Sequence, residues 1–240
     1  MKKIIFATLA FMLVFSSAMA QKNTTKKPVS KPLTVTVDGK STAPAKSANK
    51  TKDTYLPQAE VGMDMPLREA LMNRQTIRDL SEEPLSQEII SSLLWSAYGF
   101  NRPKEGKRVA PSAVNVQEYD VYLFTKEGIY LYNAEKNLLS MVVEGDHRAE
   151  ISKQKHFAIA PVSIVLVANY DRMTKFKETA DRDFYAAVDC GYISQNIYLF
   201  CAASKLGTVA CGGIDRDIIH KILNIKNGRA MLAHPVGMVR

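Results

Sequence analysis

Beyond residue 53 the apolar positions fall into two rhythms, one of about 3.6 residues and one of two, and their succession predicts a chain of mixed helices and strands. Residues 66–78 read as a helix ending in "NRQTIRDL". Ser86 can cap a second helix, in which Ile89, Ile90, Leu93, Leu94 and Ala97 make an apolar stripe, and Asn101-Arg102-Pro103 should stop it. Strands follow at 118–125 and 128–132, joined by Lys126-Glu127-Gly128, with a third near 138–143, which describes a hairpin and a meander. "APVSIVLVANY" (160–170) is a continuous apolar run suited to the centre of a sheet. Residues 183–205 read as a long helix, apolar on most faces and therefore in need of cover on several sides. A strand at 207–211, a helix at 215–223 and a closing strand at 231–239 complete an α+β domain without internal repeats.

The first 53 residues follow other rules. Lys2 and Lys3 precede an apolar run from Ile4 to Phe15, and Ala18-Met19-Ala20 supplies the small residues of a cleavage site, so residues 1–20 read as a secretory signal peptide. The run is shorter than the roughly 20 residues of a membrane-spanning helix, so no stable span is expected after cleavage. Residues 21–53 are Lys, Thr, Ser, Pro and Ala with almost no large apolar side chains, the composition of a disordered linker. The expected location is periplasmic or secreted. Charge changes the picture here: residues 1–53 hold ten Lys and two Asp, which is the whole net charge of +8, and residues 54–240 balance 22 basic against 22 acidic residues. A neutral folded domain gives no electrostatic footprint for nucleic acid.

Three cysteines in an exported chain leave at least one unpaired. Cys190 and Cys201 lie eleven residues apart in one predicted helix, about 16 Å along its axis and beyond disulfide reach. Cys211 paired with either stays open beside the default of buried free thiols. Gly207 and Gly212 have P-loop spacing, but Gly213-Ile214 stands where Lys and Ser or Thr should follow. His147, His156, His220 and His234 lie on separate elements without ligand spacing and read as surface or cap residues, so no metal site is expected.

Three stretches remain that could hold a ligand. "NRQTIRDL" ends the helix with Arg74 and Arg78 one turn apart, so both guanidinium groups emerge on one face with Thr76 between them; the pair suits a phosphate, although such pairs are commonly a solvated face. "PSAVNVQEY" sets small residues and the donor–acceptor amide of Asn115 ahead of a strand, where a flat ring edge could be read. "TVACGGID" ends a strand in Gly212-Gly213, where backbone N–H groups can face a ligand without an intervening Cβ; a plain turn before an Asp215 cap is the competing reading.

Taken in order with "LLWSAYGFNR", "GIYLYN", "APVSIVLVA", "DCGYISQNIYLFCAASKLGTVACGGID" and a closing "HPVG", these stretches resemble the FMN-dependent nitroreductase family over residues 66–239, in particular its SagB-type branch of azoline-forming peptide dehydrogenases. The resemblance implies a nitroreductase-like fold, a central mixed or antiparallel sheet flanked by helices, and a homodimer with FMN at the interface. It assigns Arg74 and Thr76, with Gln75 between them, to the FMN phosphate and ribityl chain. Arg78 falls near the pyrimidine edge, where its charge would favour the reduced flavin. Pro111, Ser112 and Ala113 line the ring and Asn115 reads its polar edge, while Gly213 with Gly212 supplies the backbone donor to flavin N5. Relatives carry basic residues past the closing strand that complete the phosphate site, and Arg240 is the candidate for that role. The branch's Lys-Tyr pair has no counterpart around Arg182, Phe184 and Tyr185, which argues against peptide heterocycles as substrate.

The flavin would carry the chemistry, so no side chain is needed as catalytic acid or base. The expectation is an exported FMN-dependent oxidoreductase acting on a small-molecule acceptor, a nitro compound, quinone or similar. Its rival is a non-catalytic flavin- or ligand-binding module tethered in the cell envelope.

Overall fold

The computed structural model describes residues 52–240. The expected signal peptide and all but the last two residues of the expected linker lie outside this range. Seven strands form one sheet: β1 (Asp53–Tyr55), β4 (Tyr119–Phe124), β5 (Gly128–Asn133), β6 (Leu138–Glu144), β7 (Val162–Asn169), β8 (Leu206–Thr208) and β9 (Gly228–Met238). Their order is β1-β6-β5-β4-β7-β9-β8, and every pairing is antiparallel. β1 opens at Asp53, the last residue read as linker, which pairs with Ser140.

β7 is the axis of the core because it is apolar on both faces. Ile164, Leu166 and Ala168 point to one side, where they meet α2 (Gln87–Tyr98) and α4 (Thr179–Ala203) through Leu93, Leu94, Ala97, Ile193 and Ile197. Val165 and Val167 point to the other, where Phe157 of the short α3 (His156–Ile159) and Ile219 of α5 (Arg216–Leu223) cover them. The two-residue period of the strand thus sorts one continuous apolar run into two cores.

Helix ends follow local chemistry. Ser86 accepts from the Ile89 N–H and opens α2, and Asp215 accepts from the Ile218 N–H and opens α5. α2 closes at Gly99, whose N–H donates to the Trp95 carbonyl, so it stops before Asn101-Arg102-Pro103. Those residues enter a separate hairpin of β2 (Phe100–Arg102) and β3 (Lys107–Arg108).

The first helix differs most from expectation. α1 spans only Leu67–Asn73, because Arg74 turns extended (φ −60°, ψ 116°). The Ile77 N–H then donates to the Thr208 carbonyl at 2.9 Å and Leu80 bridges to Val239, so residues 74–80 run along the edge of the sheet. Gly207 permits this, since a Cβ there would stand 2.5 Å from Leu80 Cδ2.

Candidate functional site

Because α1 ends early, Arg74 and Arg78 do not emerge from one helical face. The edge segment instead meets the end of β8 and the C-terminal half of α4 through Tyr198, a residue the sequence reading passed over. The Tyr198 hydroxyl lies 3.0 Å from Thr76 Oγ1 and accepts from the Ala210 N–H at 2.9 Å, and the Arg74 guanidinium sits 5.3 Å from the centre of its ring. One phenol therefore ties the 74–76 segment to the strand end that leads into Gly212-Gly213. Gln75 stays exposed beside it.

Arg78 lies exposed further along the same edge segment. Its charge reaches His156 and Cys211, whose Nε2 and Sγ lie 3.6 Å apart. Burial lowers the His156 pKa and Arg78 lowers it further. Burial also raises the Cys211 thiol, against the opposing pull of Arg78 and of a hydrogen bond with Gln154. His156 and His234 are thus buried core residues rather than surface or cap residues. All three cysteines are free and buried.

Gly212 and Gly213 show why glycine stands there. Their carbonyls are held, Gly213 O by Ser152 Oγ at 2.7 Å and Gly212 O by Arg216 Nη2 at 3.1 Å. Their N–H groups meet no acceptor among the described residues. A Cβ on Gly212 would approach Leu232 Cδ2 only to 3.7 Å, and one on Gly213 would approach Gln154 Nε2 only to 3.6 Å, both ordinary contacts, and neither residue has positive φ. Protein packing therefore does not require these glycines, and they leave bare backbone donors facing outward. That surface fits a flat group with an acceptor atom on its edge. Arg240 does not join the cluster: its N–H donates to Asp79 O and its guanidinium lies 3.8 Å from Glu82 on an exposed surface.

The second half of the predicted site is the 111–117 loop. Pro111 and Asn115 are exposed, and Ser112 and Ala113 half-buried. Val114, Asn115 and Gln117 all have positive φ (46°, 58° and 52°). Left-handed backbone costs a non-glycine residue roughly 1–2 kcal/mol, and a β-branched residue such as Val114 adopts it least readily. Hydrogen bonds offset the strain. The Ala113 N–H donates to Asp189 Oδ2 of α4 at 2.8 Å, and the Gln117 N–H donates to Ser112 Oγ at 3.0 Å. Gln117 Nε2 donates to the Gly106 carbonyl at 2.6 Å, and its Oε1 accepts from Arg108 Nε at 2.8 Å. Arg108 is itself clamped between the rings of Tyr98 and Phe100, 4.2 and 4.1 Å from their centres. The turn ahead of the β4 strand is thus a braced platform that lifts Asn115 into solvent.

The two halves do not converge within one protomer. Asp189 and Tyr198, their anchors on α4, are nine residues apart, which is about 13.5 Å of rise and two and a half turns, so they lie on opposite sides of the helix. Between them runs an exposed stripe of Phe184, Val188 and Tyr192, and α1, which packs on α4, adds exposed Leu67, Leu71 and Met72.

Comparison with known proteins agrees with this architecture. A profile of the nitroreductase family matches residues 71–238. A nitroreductase homologue of Methanocaldococcus jannaschii is 30% identical over 198 residues, covering 78% of this chain and 96% of its own. The crystal structure of a Ralstonia eutropha nitroreductase homologue is 29% identical with a TM-score of 0.74, covering 81% of this chain and 92% of that one. The NADPH:FMN oxidoreductase of Vibrio harveyi shares the fold at 17% identity and a TM-score of 0.55, over 72% of this chain and 68% of its own. The chain belongs to the nitroreductase family, a family of oxidoreductases whose members usually bind flavin.

Proposed function

We propose that this protein is an exported FMN-dependent oxidoreductase, a homodimer with each flavin at the subunit interface, passing hydride or electrons to a small acceptor such as a nitro compound or quinone. The observation that carries the proposal is the split site: a braced loop offering Asn115 on one side of α4, and Arg74, Thr76 and the bare Gly212–Gly213 donors on the other. A second copy packed on the apolar stripe would supply to each protomer the half it lacks and cover Phe184, Val188 and Tyr192.

FMN is favoured over FAD because Arg74 and Thr76 suit a terminal phosphate, and the Vibrio harveyi protein of the same fold carries FMN in its name. Bound there, FMN would supply the hydride and electron chemistry. The chain's own residues would hold it: Arg74, Gln75 and Thr76 at the phosphate end, Pro111, Ser112, Ala113 and Asn115 along the ring, Gly212 and Gly213 as backbone donors, and Arg78 as the fixed charge beside them. Arg240, paired with Glu82, has the weakest support in this set. Placement near the azoline-forming branch rests on the quoted motifs, and without the Lys-Tyr pair no peptide substrate is proposed. The domain order is signal peptide 1–20, linker 21–53 and flavin domain 54–240. Among the described residues no helix is long and apolar enough to cross a membrane.

Complementation tests the split site. Asn115→Ala and Arg74→Ala should each lose most FMN binding as homodimers. Co-refolded heterodimers should regain one intact site per dimer, because one interface then receives both wild-type halves. Heterodimers no better than either parent would refute the shared site.

A further inference from the structure

We infer that Glu118 and Asp189 form a buried acid pair that holds a single proton and positions the 111–117 loop, neutral Glu118 adjoining ionised Asp189, which keeps the Ala113 N–H. The inference rests on the reading of that loop as one wall of the flavin site, and it adds two residues that touch no ligand.

Glu118 is 0% exposed at the mouth of β4, and both its carboxyl oxygens are sealed from solvent without a hydrogen-bond partner among the described residues. A bare carboxylate is not tolerated in such a place unless a cation meets it. None does. Arg172 spends its guanidinium on Asp120 and on the carbonyls of Gln117 and Tyr119. The other titratable groups around Glu118 are Tyr98 of α2, Tyr119 beside it in the strand, and Asp189 and Cys190 of α4. The Tyr98, Tyr119 and Cys190 groups are all pushed up by burial and stay neutral.

Burial and then the Asp189 charge raise Glu118 to about 7, against the pull of its own backbone N–H and, more weakly, of Arg172. Asp189, 2% exposed, is raised by burial as well, but its bond with the Ala113 N–H pulls it back, so the proton resides on Glu118. Ionising Glu118 sets two carboxylates against each other in a sealed space. Separating them withdraws Asp189 from Ala113, and the strained turn at 114–117 then has less to hold it. For the apo protein the sign is fixed: a folded pKa raised above the unfolded value near 4.5 means stability falls as pH rises from 4.5 to about 7 and loses nothing further above it.

The test is FMN affinity by flavin fluorescence from pH 7 to 9, where a phosphate of second pKa about 6 no longer titrates, together with amide exchange of residues 111–118 in apo protein from pH 5 to 9, corrected for intrinsic base catalysis. Wild-type affinity should fall at least tenfold from pH 7 to 9, and apo loop protection should fall from pH 5 to about 7 and then level off. Glu118→Gln, which keeps a neutral donor, should match wild type at pH 7 and stay flat to pH 9. Asp189→Asn, which can donate to ionised Glu118 while accepting from Ala113, should also keep the loop protected at pH 9. A flat wild-type profile, or a Glu118→Gln profile that still falls, overturns the pair. Failure to bind FMN at any pH would instead refute the flavin reading, and loop exchange would still decide the pair.

Discussion

Replacing Gly213 by alanine separates a ligand-facing glycine from a structural one. A Cβ on Gly213 would come no nearer to the protein than 3.6 Å, at Gln154 Nε2, and the residue has no positive φ, so the folded chain accepts it without strain. Restricting the unfolded chain should then stabilise the apo protein by about 0.4–1 kcal/mol. The same methyl group occupies the surface where the proposed flavin edge approaches the backbone N–H, and overpacking of that kind costs roughly 1–3 kcal/mol. At 1.4 kcal/mol per tenfold, FMN affinity should fall between about fivefold and 150-fold while thermal stability of the apo protein holds or rises. Thermal unfolding without flavin and fluorescence titration with FMN read the two quantities separately. Gly207→Ala is the control: with Leu80 Cδ2 at 2.5 Å from the new Cβ, it should lower stability and so show what a packing glycine looks like. A Gly213→Ala protein that binds FMN as wild type does would refute the assignment of this backbone to the ligand, and one that melts like Gly207→Ala would refute the packing argument.

Arg78→Gln should leave binding of oxidised FMN little changed and lower its reduction potential by roughly 30–60 mV, the two-electron equivalent of one charge-assisted hydrogen bond of about 1.5–3 kcal/mol; dithionite titration against a reference dye measures it, and equal potentials would remove the role of Arg78. His234 is fully buried between Ser194 Oγ at 2.9 Å and Thr208 Oγ1 at 3.3 Å, and burial pushes its pKa down to about 3. The unfolded chain therefore binds a proton that the folded chain refuses, and stability should rise with pH from about 3 to 6.5, by up to about 1.4 kcal/mol per unit. His234→Gln should flatten that slope, and identical slopes in acid melts would contradict it. Tyr192→Arg, on the exposed stripe of α4, should halve the mass measured by light scattering and abolish FMN binding together; a variant that stays dimeric would place the interface elsewhere.

The parts legible in the sequence were those fixed by local periodicity. β4 to β7, α2, α4 and α5 fall where alternation and apolar stripes put them, and Ser86 and Asp215 cap as their positions suggest. The end of α1 was not legible, because Ile77 and Leu80 suit a helical stripe as well as a sheet edge. The choice is made by Thr208 and Gly207, about 130 residues further along the chain. The candidate site was legible as motifs but not as geometry. Nothing local announces that Val114 is left-handed, since the bond that offsets its strain comes from Asp189, 76 residues beyond Ala113. Tyr198 lay within a quoted motif yet offered no spacing signal for its link to Thr76. Asp189 stands between Val188 and Cys190 well inside α4, and a carboxylate in that setting was a visible sign that something polar had to meet it. The separation of the two halves by α4 depends on which faces of one helix carry Asp189 and Tyr198, which becomes meaningful only once their partners are known.

Cofactor binding followed by turnover tests the central claim most directly. The purified protein, given FMN and FAD in turn, should take up one FMN per chain with a shift in the flavin absorbance and should prefer it to FAD. After reduction by dithionite, the bound flavin should be reoxidised by a nitroaromatic or a quinone. A protein that stays colourless in excess FMN would contradict the functional account, and one whose flavin is reduced but passes electrons to no acceptor would be a flavin-binding module and not an enzyme.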